Sequence, residues 1–319
     1  MPRVLITRRL PPPAAERLRA AGLTIEMVDQ DEPPSRAELL ARVRGCAALI
    51  TMLSERVDAE LLDAAGPDLR VVANYAVGFN NIDLDACRQR NVRVTNTPGV
   101  LTEATADLTW ALLLAAARRV VEGDRLMRTG TWTGWQPQQL LGLELHGAVL
   151  GLIGAGRIGA AVARRAVGFG MRIVYADPRP CAELDGPLGA QRVPLAELLP
   201  QVDVLSLHVP LTPETRHLLD ARALAQVKPT AILVNTSRGP VVDEGALVAA
   251  LRAGRLAAAG LDVYEDEPRL APGLAELPNV VLLPHLGSAT VLTRQRMSAL
   301  VADNVLAVLA GREPPNAVT

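Results

Sequence analysis

The stretch AVLGLIGAGRIGAAVARRAVGFGMRIVYADPRP, residues 148–180, decides the fold. An apolar strand pattern leads into Gly154, Gly156 and Gly159 in the spacing GxGxxG, and a helical pattern and a second strand pattern follow. Gly154 permits a tight turn, Gly156 lets backbone N–H groups approach a pyrophosphate at the helix N-terminus, and Gly159 lets the helix pack closely. This order of strand, glycine turn, helix and strand predicts a Rossmann dinucleotide-binding unit.

The end of the second strand pattern indicates which dinucleotide binds. Asp177 carries a carboxylate that accepts hydrogen bonds from the ribose hydroxyls of NAD and repels the additional phosphate of NADP. Arg179, two residues later, is placed to weaken that repulsion. The sequence therefore favours NAD(H) and leaves NADP(H) as the alternative.

Length and composition restrict the class of protein. The 319 residues are enough for two domains, and 49% hydrophobic with 21% charged residues indicates a folded chain with large cores. A net charge of -1 gives no reason to expect nucleic acid or an anionic membrane as a partner. The longest apolar run, TWALLLAAA at 109–117, is shorter than the roughly 20 residues of a membrane helix. A small polar metabolite is the expected partner.

Cysteine usage and the N-terminus indicate the compartment. Cys46, Cys87 and Cys181 are widely spaced and form no CxxC pair, so we expect neither a disulfide framework nor a metal site. The opening MPRVLITRRL has too short an apolar run for a signal peptide and is typical of a first strand. These features predict a cytoplasmic protein.

Short β-branched runs alternate with helical segments along the whole chain. This rhythm is typical of parallel sheets with helices on both faces. The predicted strands fall into two series: RVLIT, TIEMV, AALIT, LRVVAN and VRVTN, then AVLGLIG, RIVYAD, DVLSLHV, AILVNTS, AAGLDV and VVLLP. The predicted fold class is therefore α/β, with two doubly wound parallel-sheet domains.

The boundary between the two series lies near TNTPGVLTEAT, residues 95–105. A helical pattern of about 26 residues follows over 102–127, which is long enough to cross between two domains. The final helical pattern, TRQRMSALVADNVLAVLAG, comes after the last strand of the second series, and we expect it to pack back on the first domain. The predicted domains are 1–99, 100–287 and 288–319, the last being a returning part of the first.

The chain contains four histidines, which we consider in turn. His208 lies in an alternating apolar strand, where a core position is the favoured interpretation. His217 is predicted on a surface turn, and His146 precedes a strand at the edge where α/β sheets rarely bind ligands. His285 stands at the carboxyl end of a strand, before small residues, and its position alone fits either a proton donor or a core residue.

Two further strand ends strengthen the interpretation of His285 as a proton donor. Arg238 follows a buried strand, where an arginine is costly unless it meets an anion. Asp262 lies near the tip of another strand, and Glu267 stands before Pro268. Because these parallel strands end on the edge of the glycine turn, their tips converge on one site. A carboxylate beside His285 favours the imidazolium, so the sequence predicts an acid, a cation and a carboxylate around a nicotinamide ring, which carries the hydride.

Four segments follow one another along the chain: the glycine turn with Asp177, NTSRG, GLDVYEDEP and PHLGSAT. In this order and at these separations they resemble the D-isomer-specific 2-hydroxyacid dehydrogenases. The resemblance covers essentially the whole chain. It implies a Rossmann coenzyme domain inserted in a flavodoxin-like substrate domain, with the active site between them.

The resemblance also implies roles for individual residues. Arg238 binds the substrate carboxylate and polarises the carbonyl, His285 donates the proton, and Glu267 holds and charges His285. Backbone N–H groups of Val77 and Gly78 contact the carboxylate, and Asp262 contacts the nicotinamide amide. The implied coenzyme contacts are Gly154, Gly156, Arg157, Ile158, Gly159, Asp177, Thr105, Pro210, Thr212, Thr236, Asp262 and Gly287. The implied substrate contacts are Leu53, Val77, Gly78, Trp135, Arg238 and Ser288.

Within that family, TPGVLTEATADLTWALLLAAARR, TWTGWQP and the Gly-Ser of PHLGSAT are most similar to glyoxylate/hydroxypyruvate reductases. The similarity implies a homodimer in which Trp135 reaches the partner's active site, and a pocket lined by Leu53. Simple dimer packing is the alternative for Trp132 and Trp135. One departure concerns the coenzyme: NADP-preferring members carry a small residue and an arginine where this chain has Asp177 and Pro178.

These observations predict an enzyme that reduces glyoxylate to glycolate and hydroxypyruvate to D-glycerate with NAD(P)H, NADH being favoured. D-3-phosphoglycerate dehydrogenase or another D-2-hydroxyacid dehydrogenase is the alternative. A related formate or phosphite dehydrogenase is a second one. An NAD-sensing binding module similar to transcriptional corepressors is a further alternative from a different class.

Overall fold

The structure is a computed structural model that describes all 319 residues. The chain forms two compact units. Unit 1 contains residues 1–101 and 288–319, and unit 2 contains residues 102–287. None of the helices combines the length and the apolar character needed to cross a membrane.

Unit 1 is built on a five-stranded parallel sheet in the order β2-β1-β3-β4-β5, a flavodoxin-like arrangement. Its strands are β1 (Arg3–Ile6), β2 (Thr24–Met27), β3 (Ala48–Thr51), β4 (Val71–Asn74) and β5 (Arg93–Thr95). Its first segment carries helices α1 (Ala14–Ala20), α2 (Arg36–Arg42), α3 (Ala59–Ala65) and α4 (Leu84–Gln89). Every residue of β3 and β4 is buried, as expected for parallel strands covered on both faces.

The second segment of unit 1 supplies helix α12 (Val291–Leu309), which packs against α1 and the central strands of the sheet. Its apolar face includes Val301 and Val305, both fully buried. The Tyr75 hydroxyl donates to the Arg294 carbonyl (2.6 Å), and Asn304 Nδ2 donates to the Asn96 carbonyl (3.2 Å). The last helix therefore completes the first unit.

Unit 2 is built on a seven-stranded parallel sheet in the order β12-β11-β10-β9-β6-β7-β8. Its strands are β6 (Val149–Ile153), β7 (Arg172–Ala176), β8 (Gln191–Arg192), β9 (Val204–Leu207), β10 (Ile232–Asn235), β11 (Ala258–Leu261) and β12 (Val280–Leu282). Its helices are α5 (Thr102–Ala117), α6 (Val120–Arg128), α7 (Arg157–Gly168), α8 (Ala182–Asp185), α9 (Leu195–Leu198), α10 (Ala221–Leu224) and α11 (Glu244–Arg252), with a 3-10 turn at Gly239–Val241. The strand order reverses between β6 and β9, as in Rossmann folds. The predicted fold class is confirmed.

The prediction of one helix over 102–127 is wrong, because the structure ends α5 at Ala117 and starts α6 at Val120. Arg119, between them, has a left-handed backbone (φ 51°). The Ala117 carbonyl accepts from Leu143 N (2.9 Å), a residue distant in sequence. Gly142 packs so closely that a Cβ there would lie 2.1 Å from the Ala117 oxygen. The Ala117 carbonyl, which would accept the next hydrogen bond of a continuing helix, is thus used in a tertiary contact. The helical pattern of the sequence does not encode this contact.

The short edge strand β8 was not predicted. It contains two residues, Gln191 and Arg192, and both are exposed. A strand without a buried side chain carries no apolar alternation, so its sequence offers no strand signal.

Candidate active site

The glycine turn follows β6 at the point where the strand order of unit 2 reverses. Gly154 has φ 96°, and a Cβ there would lie 2.7 Å from the backbone carbon and oxygen of His208. A Cβ on Gly159 would lie 2.3 Å from the Gly154 oxygen. A Cβ on Gly156, the N-cap of α7, would meet no atom within 4 Å. Gly154 and Gly159 are therefore required by packing. Gly156 instead leaves open space beside the helix N-terminus, where a pyrophosphate fits.

Asp177 holds the same turn from the end of β7. Its two carboxylate oxygens accept from Ala155 N (2.8 Å) and Arg179 N (2.9 Å). The Arg192 side chain donates to the carbonyls of Asp177 (2.9 Å) and Pro178 (2.7 Å). Each carboxylate oxygen has further acceptor capacity for a ribose hydroxyl, so the site fits the ribose and pyrophosphate of a dinucleotide.

His208 supports the turn from β9. Its side chain is partly buried, and Nε2 lies 2.9 Å from the Ser206 hydroxyl. Burial lowers the pKa of His208 from 6.5 to about 3. The imidazole is therefore neutral at pH 7, which agrees with the core position predicted from the alternating strand.

This burial predicts a pH effect on stability. Between pH 6.5 and about 3 the unfolded chain binds a proton at His208 that the folded chain does not, so stability falls as the pH falls through this window. From pH 7 to pH 5 we expect a loss of about 2 kcal/mol from this residue. Urea unfolding at both pH values should show a smaller loss for His208→Gln than for the parent. His146→Gln, at an exposed position, is the control, and equal losses for both variants would contradict the prediction.

Threonine side chains connect several of the predicted coenzyme contacts. Thr105 Oγ1 donates to the Gly287 carbonyl (3.0 Å), and Thr109 Oγ1 donates to the Thr105 carbonyl (2.8 Å). Because this bond uses the hydroxyl hydrogen of Thr109, the Thr236 hydroxyl, 2.8 Å away, is the donor in their mutual bond. Thr109 was missed by the sequence analysis, although its spacing of four from Thr105 places both on one helix face.

Pro210 and Thr212 lie in a turn after β9 that is closed by Thr215. The Thr215 hydroxyl donates to the Pro210 carbonyl (2.6 Å) and accepts from Thr212 N (2.8 Å). Arg157 and Ile158 open helix α7, where helix geometry leaves the first N–H groups without intrahelical acceptors. All four residues therefore lie at or near carboxyl ends of strands in unit 2.

His285 and Glu267 form an ion pair beyond the ends of β11 and β12. His285 Nδ1 lies 2.9 Å from Glu267 Oε2, and Glu267 Oε1 accepts from Tyr264 N (3.1 Å). The pairing at Nδ1 leaves Nε2 as the ring nitrogen that can carry a transferable proton. Both side chains are about one-third exposed, at 34% and 37%. They are therefore accessible to a small molecule.

The backbone at His285 is held in an unusual conformation. His285 has φ 56°, in the left-handed region that few residues other than glycine adopt. Asp262, which is 1% exposed, accepts from Leu286 N (2.6 Å) and Gly287 N (2.8 Å), and its carbonyl accepts from His285 N (3.0 Å). In this structure Asp262 fixes the turn that carries His285, and its contact with a nicotinamide amide stays a prediction.

Opposing effects act on the two acidic groups. Burial raises the pKa of Glu267, but the hydrogen bond and charge of His285, Tyr264 N and Arg238 outweigh it, so the net pKa is lowered. Burial raises the pKa of Asp262, against the two backbone N–H groups and the charge of His285. The surroundings therefore favour the charged form of Glu267 and disfavour that of Asp262.

Arg238 lies between β10 and the 3-10 turn. Asn235 Nδ2 donates to the Arg238 carbonyl (3.0 Å), while Asn235 Oδ1 accepts from the N–H and hydroxyl of Ser237 (3.0 and 2.9 Å). Burial lowers the pKa of Arg238, the charge of Glu267 opposes this, and the guanidinium remains a cation. The structure thus brings Arg238, Glu267 and His285 to neighbouring ends of β10, β11 and β12.

Val77 and Gly78 follow β4 in unit 1. The Ala76 carbonyl accepts from Thr97 N (2.9 Å), and the Val77 carbonyl accepts from Asn96 Nδ2 (2.8 Å). In a trans peptide the N–H points opposite to the carbonyl, so the N–H groups of Val77 and Gly78 both face away from residues 96 and 97. Their contact with a substrate carboxylate stays a prediction.

The other predicted substrate contacts are spread over both units. Leu53 follows β3 in a half-buried turn of unit 1, and Ser288 opens its second segment. Trp135 belongs to unit 2, in the segment between α6 and β6 that contains no helix or strand, and it is 82% exposed. The contact of Trp135 with a substrate stays a prediction.

Comparison with known proteins finds similar proteins that cover almost the whole chain. The family model for the NAD binding domain of D-isomer specific 2-hydroxyacid dehydrogenases matches residues 110–287. A glyoxylate reductase of Korarchaeum cryptofilum is 50% identical over 320 residues, which cover 99% of this chain and 96% of that protein. The crystal structure of the TT0316 protein of Thermus thermophilus superposes with a TM-score of 0.93 at 54% identity, covering 99% of this chain and all of the other.

A further solved structure contains a bound coenzyme. The NADPH-dependent glyoxylate/hydroxypyruvate reductase of Sinorhizobium meliloti, in complex with NADP and malonate, has a TM-score of 0.87 at 38% identity and covers 100% of this chain and 97% of its own. Together with the matched NAD binding domain, it identifies a nicotinamide dinucleotide as the coenzyme of unit 2. These matches confirm the resemblance seen in the sequence, and the chain belongs to the D-isomer specific 2-hydroxyacid dehydrogenase family.

Proposed function

We propose that this protein is a reductase of small 2-oxoacids that converts glyoxylate to glycolate and hydroxypyruvate to D-glycerate. The observation that carries the proposal is the His285–Glu267 pair, 2.9 Å apart, beside the cation of Arg238. The curated relative of Korarchaeum cryptofilum is named glyoxylate reductase and matches over the full chain. The match with a glyoxylate reductase favours glyoxylate reduction over the alternative of a 3-phosphoglycerate dehydrogenase.

The roles of the site residues follow from their chemistry. The bound coenzyme supplies the hydride to the carbonyl carbon. Arg238 binds the substrate carboxylate and polarises the carbonyl, and the N–H groups of Val77 and Gly78 contact the carboxylate. His285 gives the proton on Nε2 to the carbonyl oxygen, which becomes the hydroxyl of the product. Glu267 stabilises the imidazolium before the transfer and orients the ring.

We propose NADH as the preferred coenzyme. The carboxylate of Asp177 holds the glycine turn through Ala155 N and Arg179 N, and in this proposal it also accepts from the ribose hydroxyls. A second negative group, such as the extra phosphate of NADPH, would be placed against it at a cost. The relative from Sinorhizobium meliloti uses NADPH at 38% identity, so the preference depends on this local feature.

A panel of 2-oxoacids assayed with NADH and with NADPH tests both proposals. We expect the highest kcat/KM with glyoxylate or hydroxypyruvate, and a higher kcat/KM with NADH than with NADPH. A preference for 3-phosphohydroxypyruvate would favour the phosphoglycerate dehydrogenase alternative. Absence of any oxoacid-dependent NADH oxidation would favour a corepressor-like binding role, and a clear preference for NADPH would reject the role of Asp177.

We also propose that the protein is a homodimer. Helix α6 has no buried residue, and the exposed apolar side chains of this region are Val120, Val121, Met127, Trp132, Trp135 and Leu141. Exposed apolar side chains concentrated within residues 120–141 are typical of a protein–protein contact surface. We propose that a second copy of the chain covers these side chains. Analytical ultracentrifugation should then give a mass of twice 33.9 kDa.

A cytoplasmic location fits the cysteines. Burial raises the pKa of Cys46 and of Cys87 to about 11, so both remain thiols at neutral pH. Cys181 is also a free thiol. Unpaired cysteines are typical of a reducing compartment.

A further inference from the structure

A second carboxylate, outside the predicted site, holds the loop that carries Glu267. Glu244 is the first residue of α11 and is only 4% exposed. Its Oε1 accepts from Glu265 N (2.6 Å), and the backbone N–H of Ala271 lies near the same carboxylate and favours its charged form. One side chain therefore connects both ends of the segment 265–271, which contains Glu267.

The same loop is fixed by a close contact from the side of Arg238. A Cβ on Gly239 would lie 1.8 Å from the Tyr264 carbonyl carbon and 2.4 Å from Glu265 N. The Tyr264 hydroxyl donates to the Leu283 carbonyl (2.8 Å), two residues before His285. The peptide 264–265 is therefore packed against Gly239, the residue after Arg238, and the Tyr264 hydroxyl ties it to Leu283, two residues before His285.

Glu244 occupies this position against an electrostatic cost. Burial raises its pKa, and the negative charges of Glu265 and Glu267 act in the same direction, opposed by the two backbone N–H groups. A buried acidic side chain that faces two other carboxylates is unfavourable for stability alone. Such a cost is characteristic of positions that serve a functional site.

We propose that Glu244 is a positioning residue that sets Glu267 at the distance required to hold the His285 imidazolium. The inference depends on the proposed roles of Glu267 and His285. The charged and titratable groups facing this pair are Arg238 from the end of β10, Asp262 from the end of β11, and Tyr264, Glu265 and Glu244 around the loop. Loss of the Glu244 contacts lets Glu267 move away, so the His285 ring loses the carboxylate that contacts its Nδ1.

The test compares Glu244→Gln and Glu244→Asp with the parent and with Asp243→Ala. Gln keeps the length but has one acceptor oxygen, and Asp keeps the charge but is too short to reach both N–H groups. Asp243 caps the same helix by accepting from Ala246 N (2.9 Å) and does not contact the loop, so its variant reports the cost of weakening α11 alone.

For both Glu244 variants we expect kcat with glyoxylate to fall about 10- to 100-fold, as for a small displacement of a reacting group, while the KM for NADH stays near that of the parent. The upper limb of the pH profile of kcat should move to lower pH. NMR titration of the imidazole of His285, identified by its absence in His285→Asn, should show the same displacement without substrate or coenzyme. Asp243→Ala should lower the thermal midpoint and leave the profile unchanged.

Three outcomes separate the possibilities. A parental pH profile and a parental His285 titration in Glu244→Gln would overturn the inference. A displaced pH profile in Glu244→Gln but not in Glu244→Asp would also overturn the inference. In that case the negative charge of Glu244, and not its positioning of the loop, would be responsible. A parent protein without oxoacid reduction would contradict the proposed function instead, and the NMR titration would still decide the role of Glu244.

Discussion

Replacing His285 with asparagine is expected to lower kcat for glyoxylate by about 10²- to 10⁴-fold, the contribution of a positioned general acid. The variant removes the proton donor and leaves the glycine turn of unit 2 unchanged, so the Kd for NADH should remain near that of the parent. Asparagine suits the test because it tolerates the left-handed backbone at this position (φ 56°) better than other residues. His285→Ala should give the same kinetic loss with a somewhat lower stability. Single-turnover oxidation of NADH measures the chemical step directly.

His217 supplies a matched control for this prediction. It also has a left-handed backbone (φ 50°), and its Nε2 lies 2.6 Å from Glu265 Oε1. His217→Asn therefore removes a histidine–carboxylate pair in the same conformation, and we expect kcat near that of the parent. Unchanged turnover in the His285 variants would reject the proton-donor role, and equal losses at both positions would indicate a general structural effect.

Replacing Arg238 with alanine is expected to reduce both substrate affinity and rate. In the proposed mechanism the guanidinium binds the substrate carboxylate and polarises the carbonyl, so it acts in the ground state and in the transition state. Truncating one partner of such a pair costs about 2–5 kcal/mol, which corresponds to about 30- to 5,000-fold in kcat/KM. Arg238→Lys keeps the charge but not the planar fork, and an intermediate loss is expected.

Steady-state kinetics with glyoxylate at saturating NADH measure this effect. Arg216, an exposed arginine that contacts Glu265 at 3.2 Å, offers the control variant Arg216→Ala, for which we expect kinetics near the parent. An Arg238→Ala enzyme with parental kcat and KM would eliminate the carboxylate role. A rise in KM with an unchanged kcat would restrict Arg238 to substrate binding.

The parts of the fold that depend on local pattern were predictable. The glycine turn lies between β6 and α7, and Asp177 follows β7, because the spacing of glycines and the strand pattern are set within about thirty residues of chain. The neighbouring ends of β10, β11 and β12 also follow from sequence, since parallel strands must end on one edge of a sheet. This is why Arg238, Glu267 and His285 could be proposed together.

Features that depend on contacts distant in sequence were not predictable. The end of α5 is set by Leu143 N and Gly142 at the Ala117 carbonyl, and no periodicity reports such a contact. Glu244 has the pattern of an ordinary acidic residue in the first turn of a helix, where it complements the helix dipole. Only its burial and its contacts with the backbone of the loop at Glu265 and Ala271 point to another role.

The discontinuity of unit 1 has a consequence for biosynthesis. Residues 102–287 contain every strand and helix of unit 2, and they leave the ribosome before residues 288–319. Domains generally fold as units during synthesis, so the nucleotide-binding half is the first whose complete set of elements is available. The apolar surface of β4 against which α12 packs stays uncovered on the nascent chain until Val301 and Val305 emerge, although β4 itself is made long before.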